Sequence, residues 1–133
     1  MKEIMVVTQN RPGLLADISE ILAKHGINIE TIDADEMHDT AVVELTVDHY
    51  DEALQQLRDA GFHAVTEDAL LVCLKDEPGA LARVARRFKE ANIDLRSVRF
   101  IRREQGHAYV AIATDRSEEA RALVKEWLVT SEK

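Results

Sequence analysis

The chain has 133 residues (15.0 kDa) with 17 Lys and Arg against 25 Asp and Glu, a formal net charge of −8, and is 46% hydrophobic and 32% charged. Five Gly and two Pro exclude a collagen-like or low-complexity chain, and one Cys excludes an internal disulfide and favours a reducing cytoplasm. No apolar run reaches the ~18 residues of a spanning helix, the start MKEIMVVTQNRPG has too short an apolar stretch for a signal peptide, and the acidic balance disfavours nucleic acid and anionic membranes as partners.

Residues 4–8 form a short β-type apolar run, and Pro12-Gly13 then opens a helix in which Leu15, Ile18 and Leu22 share a face. Gly26 stops that helix, and residues 27–37 read as a strand. Residues 40–47 alternate strictly, with Ala41, Val43, Leu45 and Val47 on one face and Glu44 and Thr46 on the other. Tyr50, Ala53, Leu54, Leu57 and Ala60 define a second helix closed by Gly61, and residues 62–66 make a last strand. The order is βαββαβ. The same order restarts with a strand at 70–74, a helix at 81–92, strands at 93–103 and 107–114, and a helix bearing Leu123, Val124, Trp127 and Leu128. Only residues 129–133 follow, so the second copy is expected to lack its own last strand or to borrow one.

The two halves are related by an offset of 66, which lays Val6 on Val72, Pro12 on Pro78, Gly13 on Gly79, Leu15 on Leu81 and Ile27 on Ile93. Beyond the middle of each copy the offset is 67, with Val43 on Val110 and Glu52-Ala53 on Glu119-Ala120; the inserted residue is expected at a hairpin tip, around His38-Asp39 or 104–106. The fold expected is α+β, two ferredoxin-like βαββαβ repeats with antiparallel sheets and helices on one face, divided as 1–68 and 69–133. Strand 107–114 is apolar on both faces, whereas 40–47 is polar on its second face, so a cover over the back of the second sheet is expected. Charge divides with the repeats: residues 1–68 carry 4 basic and 15 acidic side chains, and residues 69–133 carry 13 and 10. On the second strands Glu30, Asp33 and Glu36 align with Arg96, Arg99 and Arg102. Antiparallel juxtaposition would set Glu30 against Arg102, Asp33 against Arg99 and Glu36 against Arg96; the competing account is two solvated edges.

The strings TQNRPGLLADISEILAKHGINI and LKDEPGALARVARRFKEANIDL resemble the opening of an ACT domain, and the βαββαβ order extends the resemblance over nearly the whole chain. The likeness is to small tandem ACT proteins with no catalytic domain attached. It implies a cytoplasmic, non-catalytic, allosteric sensor that binds an amino acid or related metabolite at an interface between ACT units, as a homodimer, without metal or cofactor; any regulated enzyme is left unspecified. Carried onto this chain, the implied ligand-binding residues are Asn10, Arg11, Pro12, Gly13, Leu14, Leu15 and Asn28, with Asp76, Gly79, Ala80, Leu81 and Asp94 in the second copy. The chemistry suits that use. The first turn of a helix offers unpaired N–H groups and about half a positive charge to a carboxylate, and a Gly admits close approach. Asn10 and Asn28 supply amides; Asp76 and Asp94 replace them in the second copy, where two carboxylates repel an α-carboxylate unless they meet the ammonium instead. Asn10 and Asp76 also read as helix caps, and the Pro-Gly pairs as turn formers.

Two other classes share features. An RNA-recognition module has the same element order, and QGHAYVAI at 105–112 partly matches its central-strand motif, but only Tyr109 supplies an aromatic in register. A small enzyme of amino-acid metabolism is the other. Its candidates are scattered: His25, His38, His49, His63 and His107 show no metal-ligand spacing, and Cys73 lies in an apolar strand.

Overall fold

Strand β1 (Glu3–Gln9) buries Ile4 and Val6 toward one side, the period expected of a pleated strand, and the chain then turns through Pro12-Gly13 into helix α1 (Leu14–Lys24). Strands β2 (Ile29–Met37) and β3 (Thr40–Val47), helix α2 (Tyr50–Asp59) and strand β4 (His63–Val65) complete an antiparallel sheet of order β2-β3-β1-β4. Ile18 and Leu22 of α1, and Ala53 and Leu57 of α2, pack on Ile4, Val6, Val43 and Leu45 in one buried cluster. The computed structural model describes residues 2–129, and the chain divides into two units between Glu67 and Asp68.

The second unit repeats the order with β5 (Leu70–Lys75), α3 (Ala80–Glu90), β6 (Leu95–Glu104), β7 (His107–Thr114) and α4 (Ser117–Leu123), in a three-stranded sheet β5-β7-β6. Register verifies the repeat. Val6 pairs with Val43 in the first sheet, and their sequence counterparts Val72 and Val110 pair in the second. The extra residue is not at a hairpin tip, as expected from composition: β2–β3 and β6–β7 turn through two residues each, His38-Asp39 and Gln105-Gly106. It is Ile101, passed over where the β6 register steps from Phe100 to Arg102. A bulge absorbs one residue by twisting the strand, and Ile101 is only 8% exposed, so burial of an isoleucine there offsets the unpaired backbone. Glu36 therefore corresponds structurally to Arg103, not Arg102.

Two helix boundaries differ. Helix α1 begins at Leu14 and not at Pro12, because Gly13 sits at φ +82°, a left-handed conformation that cannot continue into a right-handed helix. The last helix is not continuous through Leu128. It ends at Leu123, whose carbonyl accepts a 2.8 Å bond from the Arg87 guanidinium, and a 3-10 turn at Lys125–Trp127 follows. Arg87 also lies over the Trp127 ring at 4.2 Å and pairs with Glu126. In place of a fourth strand, Leu128 forms a single antiparallel bridge to Val72, and the Val129 N–H donates to the Leu71 carbonyl at 2.8 Å; residues 130–133, where a longer strand would fall, lie outside the described residues. The contrast expected between the two back faces is also absent. Val42 and Thr46 are buried like Tyr109. A threonine can be withdrawn from water when its hydroxyl is bonded, and Thr46 meets the Thr31 hydroxyl at 2.7 Å.

Helix ends follow the expected chemistry. Ile27 N–H reaches back to the Leu22 carbonyl at 3.0 Å across Gly26, and Ile93 N–H does the same to Phe88 at 2.9 Å across Asn92, which takes φ +62° in the role glycine has in the first unit. Cys73 is half-buried on β5 opposite Tyr109, and burial pushes its thiol up in spite of the Tyr109 hydrogen bond. No described helix is long and apolar enough to cross a membrane.

Candidate functional site

The loop between β1 and α1 closes a cavity of about 290 Å³ in the first unit. Five of the expected residues line it, Asn10, Arg11, Gly13, Leu14 and Leu15, and four that the sequence does not single out join them: Ala16, Ala34, Glu36 and Ala41. Pro12 is not among the lining residues. Ala34 and Glu36 lie two and four residues beyond Ile32, which packs on the helix-side core. Period two from Ile32 was therefore the available signal.

Strand β1 delivers Asn10 to the cavity by one further ladder bond, from the Asn10 N–H to the Asp39 carbonyl at 2.8 Å. The Asn10 side-chain amide makes no hydrogen bond within the described residues, and helix α1 has no side-chain cap. Asn10 is thus no cap. The first-turn N–H groups of Leu15 and Ala16 precede the first i→i−4 bond, from Asp17 N–H to the Gly13 carbonyl at 2.9 Å. Arg11 is taken up by Asp17 at 2.5 Å, an exposed pair of small energetic value that fixes the loop against the helix. Leu15 is 37% exposed and presents an apolar wall. The cavity therefore combines helix N–H donors, the Asn10 amide, the Glu36 carboxylate and an apolar wall led by Leu15.

The equivalent cavity of the second unit, about 310 Å³, includes the expected Asp76, Gly79, Ala80 and Leu81 together with Lys75, Phe100 and Arg103. Its polarity is inverted. Arg103 stands where Glu36 stands in the first unit, pairs with Asp76 at 3.4 Å and covers the Phe100 ring at 4.6 Å. Glu77 and Arg83 form a 2.9 Å pair at the positions of Arg11 and Asp17, with the signs exchanged.

Asn28 and Asp94 are not brought to these cavities. Each lies at the opposite end of its sheet, tied to the loop that follows the third strand: the Asn28 N–H and side-chain amide donate to the Asp48 carboxylate at 2.9 and 3.1 Å, and the Asp94 N–H donates to Asp115 at 3.1 Å. Asp48 also meets His49 at 2.9 Å. The His49 contact, followed by the bonds from Asn28, holds the Asp48 carboxyl below its usual value, and Asp48 raises the His49 imidazole above 6.5. The raised imidazole contributes stability that is complete below 6.5 and lost as pH climbs through the higher folded value; the lowered carboxyl contributes stability lost as pH falls through its own. An NMR titration should place the His49 midpoint above that of free histidine, and Asp48→Asn should return it toward 6.5; an unmoved midpoint in the variant would remove Asp48 as the cause. Tyr109, the aromatic of the RNA-type motif, is fully buried and offers no ring to a base.

Each unit is thus an antiparallel ferredoxin-like α+β fold with a small cavity under its first loop. The sequence model of the ACT domain family matches residues 2–62, covering the first unit from β1 through α2. No curated protein matches the chain. Among solved structures, a protein of Bacteroides thetaiotaomicron is 24% identical (96% of this chain, 90% of that one, TM-score 0.49). The regulatory subunit of aspartate kinase from Thermus thermophilus is 19% identical (95% and 91%, TM-score 0.45). The small subunit of acetolactate synthase from Thermotoga maritima is 13% identical (97% and 89%, TM-score 0.41).

Proposed function

We propose that the chain is a tandem ACT regulatory protein whose first unit binds an α-amino acid or a closely related metabolite beside the β1–α1 loop, without catalysing a reaction. One observation carries this reading: inside the ACT-matching residues, the uncapped start of α1, the unengaged Asn10 amide and the Glu36 carboxylate share one cavity. A ligand carboxylate is served by the helix N–H groups, its ammonium by Glu36, and its side chain by Leu15. In the second unit the corresponding acid is replaced by Arg103 and Asp76 is already paired, so the same ligand is not expected there. Binding next to an ACT–ACT interface stabilises the interface it bridges, so ligand affinity and association rise together.

A thermal-shift screen of the twenty amino acids at millimolar concentration tests this. A hit should weaken about tenfold, roughly 1.4 kcal/mol, in Asn10→Ala and in Glu36→Gln, and should be unaffected by Arg103→Ala. A hit indifferent to the first two variants places the site elsewhere; no hit with any amino acid removes the amino-acid reading.

A further inference from the structure

Between α1 and α2 of the first unit runs a groove of about 560 Å³. Ile21, Ala60 and Phe62 give it apolar surface, and Glu20 of α1 and Asp59 of α2 add a carboxylate from each helix. Asp59 accepts a hydrogen bond from the Gln55 amide at 2.7 Å, and neither Glu20 nor Asp59 forms an ion pair among the described residues. Two unpaired acids beside uncovered apolar surface form an arrangement that a cation with an apolar body completes.

The repeat shows which side chains complete it. The offset of 66 lays Ile21 on Arg87, and the offset of 67 lays Gln56, Asp59 and Ala60 on Leu123, Glu126 and Trp127. In the second unit these counterparts are packed on one another. The Arg87 guanidinium lies 4.2 Å from the centre of the Trp127 ring and donates to the Leu123 carbonyl and to the Glu126 carboxylate, each at 2.8 Å. The Trp127 ring also packs against the core of that unit. The first unit retains the acid, as Asp59, but has Ala60 in place of the indole and Ile21 in place of the guanidinium.

We propose that the α1–α2 groove of the first unit is a docking surface for a partner protein that inserts a tryptophan next to an arginine or lysine. The ring lies over Ala60 against Ile21 and Phe62, and the basic group meets Asp59 and Glu20. Ring and cation then stand together beside a carboxylate, as Trp127 and Arg87 do beside Glu126, and the attraction between cation and ring adds to the ion pair. Tryptophan and arginine are also the side chains that most often anchor protein interfaces. The single tryptophan of this chain is held by its own Arg87, so the inserted one comes from a different protein. Lys24, in the last turn of α1, places the basic group of the partner at the Glu20–Asp59 part of the groove and not along its whole length.

The probe is the dipeptide N-acetyl-Trp-Arg-amide, whose blocked ends withhold the ammonium and carboxylate that an α-amino acid offers the β1–α1 loop. Titrated at millimolar concentration into the isotope-labelled full chain, it should shift the NMR amide signals of Ile21, Asp59, Ala60 and Phe62 and leave those of Arg87 and Trp127 in place. N-acetyl-Ala-Arg-amide should bind about tenfold more weakly or worse, because the ring supplies most of the buried area. Asp59→Asn should weaken the first probe about two- to fivefold, the range of an exposed ion pair. Ile21→Arg combined with Ala60→Trp transplants the filling of the second unit and should abolish binding, with circular dichroism verifying that the variant is folded. The proposal is overturned by shifts confined to other residues, by an alanine probe as good as the tryptophan one, by an Asp59→Asn variant without effect, or by a filled variant that still binds. Free indole binding as tightly as the dipeptide also overturns it, by making the groove a site for a small aromatic metabolite. Failure on any of these points leaves the amino-acid reading of the β1–α1 loop untouched, since the blocked probe does not compete there.

Discussion

Replacing Phe88 by alanine is expected to cost the second unit about 3–5 kcal/mol. Phe88 is fully buried on α3 and belongs to the cluster formed by Val72, Val84, Val110 and Ile112. Its carbonyl also accepts the Ile93 N–H that closes the helix. A unit of this size has a total stability of the same order, so the loss approaches all of it. The measurement is direct, because the single tryptophan, Trp127, lies in this unit and packs against its core. Urea unfolding followed by tryptophan fluorescence should show a midpoint shifted far toward zero denaturant. A shift equivalent to less than about 1.5 kcal/mol would mean that the core collapses around the gap. The aligned change in the first unit, Leu22→Ala, removes a smaller buried side chain and should cost about 2–5 kcal/mol there.

Substitution of Gly13 is the second large effect, about 1–3 kcal/mol for valine. A Cβ at Gly13 meets nothing within 4 Å, so no clash contributes; the cost comes from φ +82° alone. That origin predicts an order. Asparagine, which tolerates the left-handed region, should cost least, alanine more, and β-branched valine most. Thermal or urea unfolding of the three variants verifies it, and an equal cost for all three would remove backbone conformation as the reason. Weaker ligand binding in Gly13→Val therefore reports a distorted loop as much as a lost contact. Asn10 and Glu36, which carry no backbone constraint of this kind, are the cleaner probes.

Much of the fold was legible because its signals are local. Strict alternation gave β3 at residues 40–47 with the observed bounds, and the offset between halves matched Val6 to Val72 and Val43 to Val110, residues that prove to pair within their own sheets. What escaped depends on geometry that composition does not encode. Ile101 is an ordinary strand residue by type, and only the register of β6 on β7 shows that it is the inserted one. Helix α4 has apolar spacing through Leu128, yet Arg87, 36 residues away from Leu123, takes the carbonyl at its end. The burial of Thr46 goes with a hydroxyl contact to Thr31, a residue 15 positions away. The candidate site divided in the same way. The loop residues from Asn10 to Leu15 were apparent as a motif, whereas Glu36 enters the cavity through the pleat of a neighbouring strand, and Asn28, a motif residue, is spent on Asp48.

The exchanged pairs, Arg11 with Asp17 and Glu77 with Arg83, constrain how the two loops can be recombined. Grafting the second loop alone onto the first helix would bring Glu77 against Asp17, and the reverse graft would bring Arg11 against Arg83. Either chimera holds like charges at the spot where each parent holds an attraction. Each loop and the first turns of its helix thus form one inheritable cassette, and a transplant intended to move ligand preference between the units has to carry both.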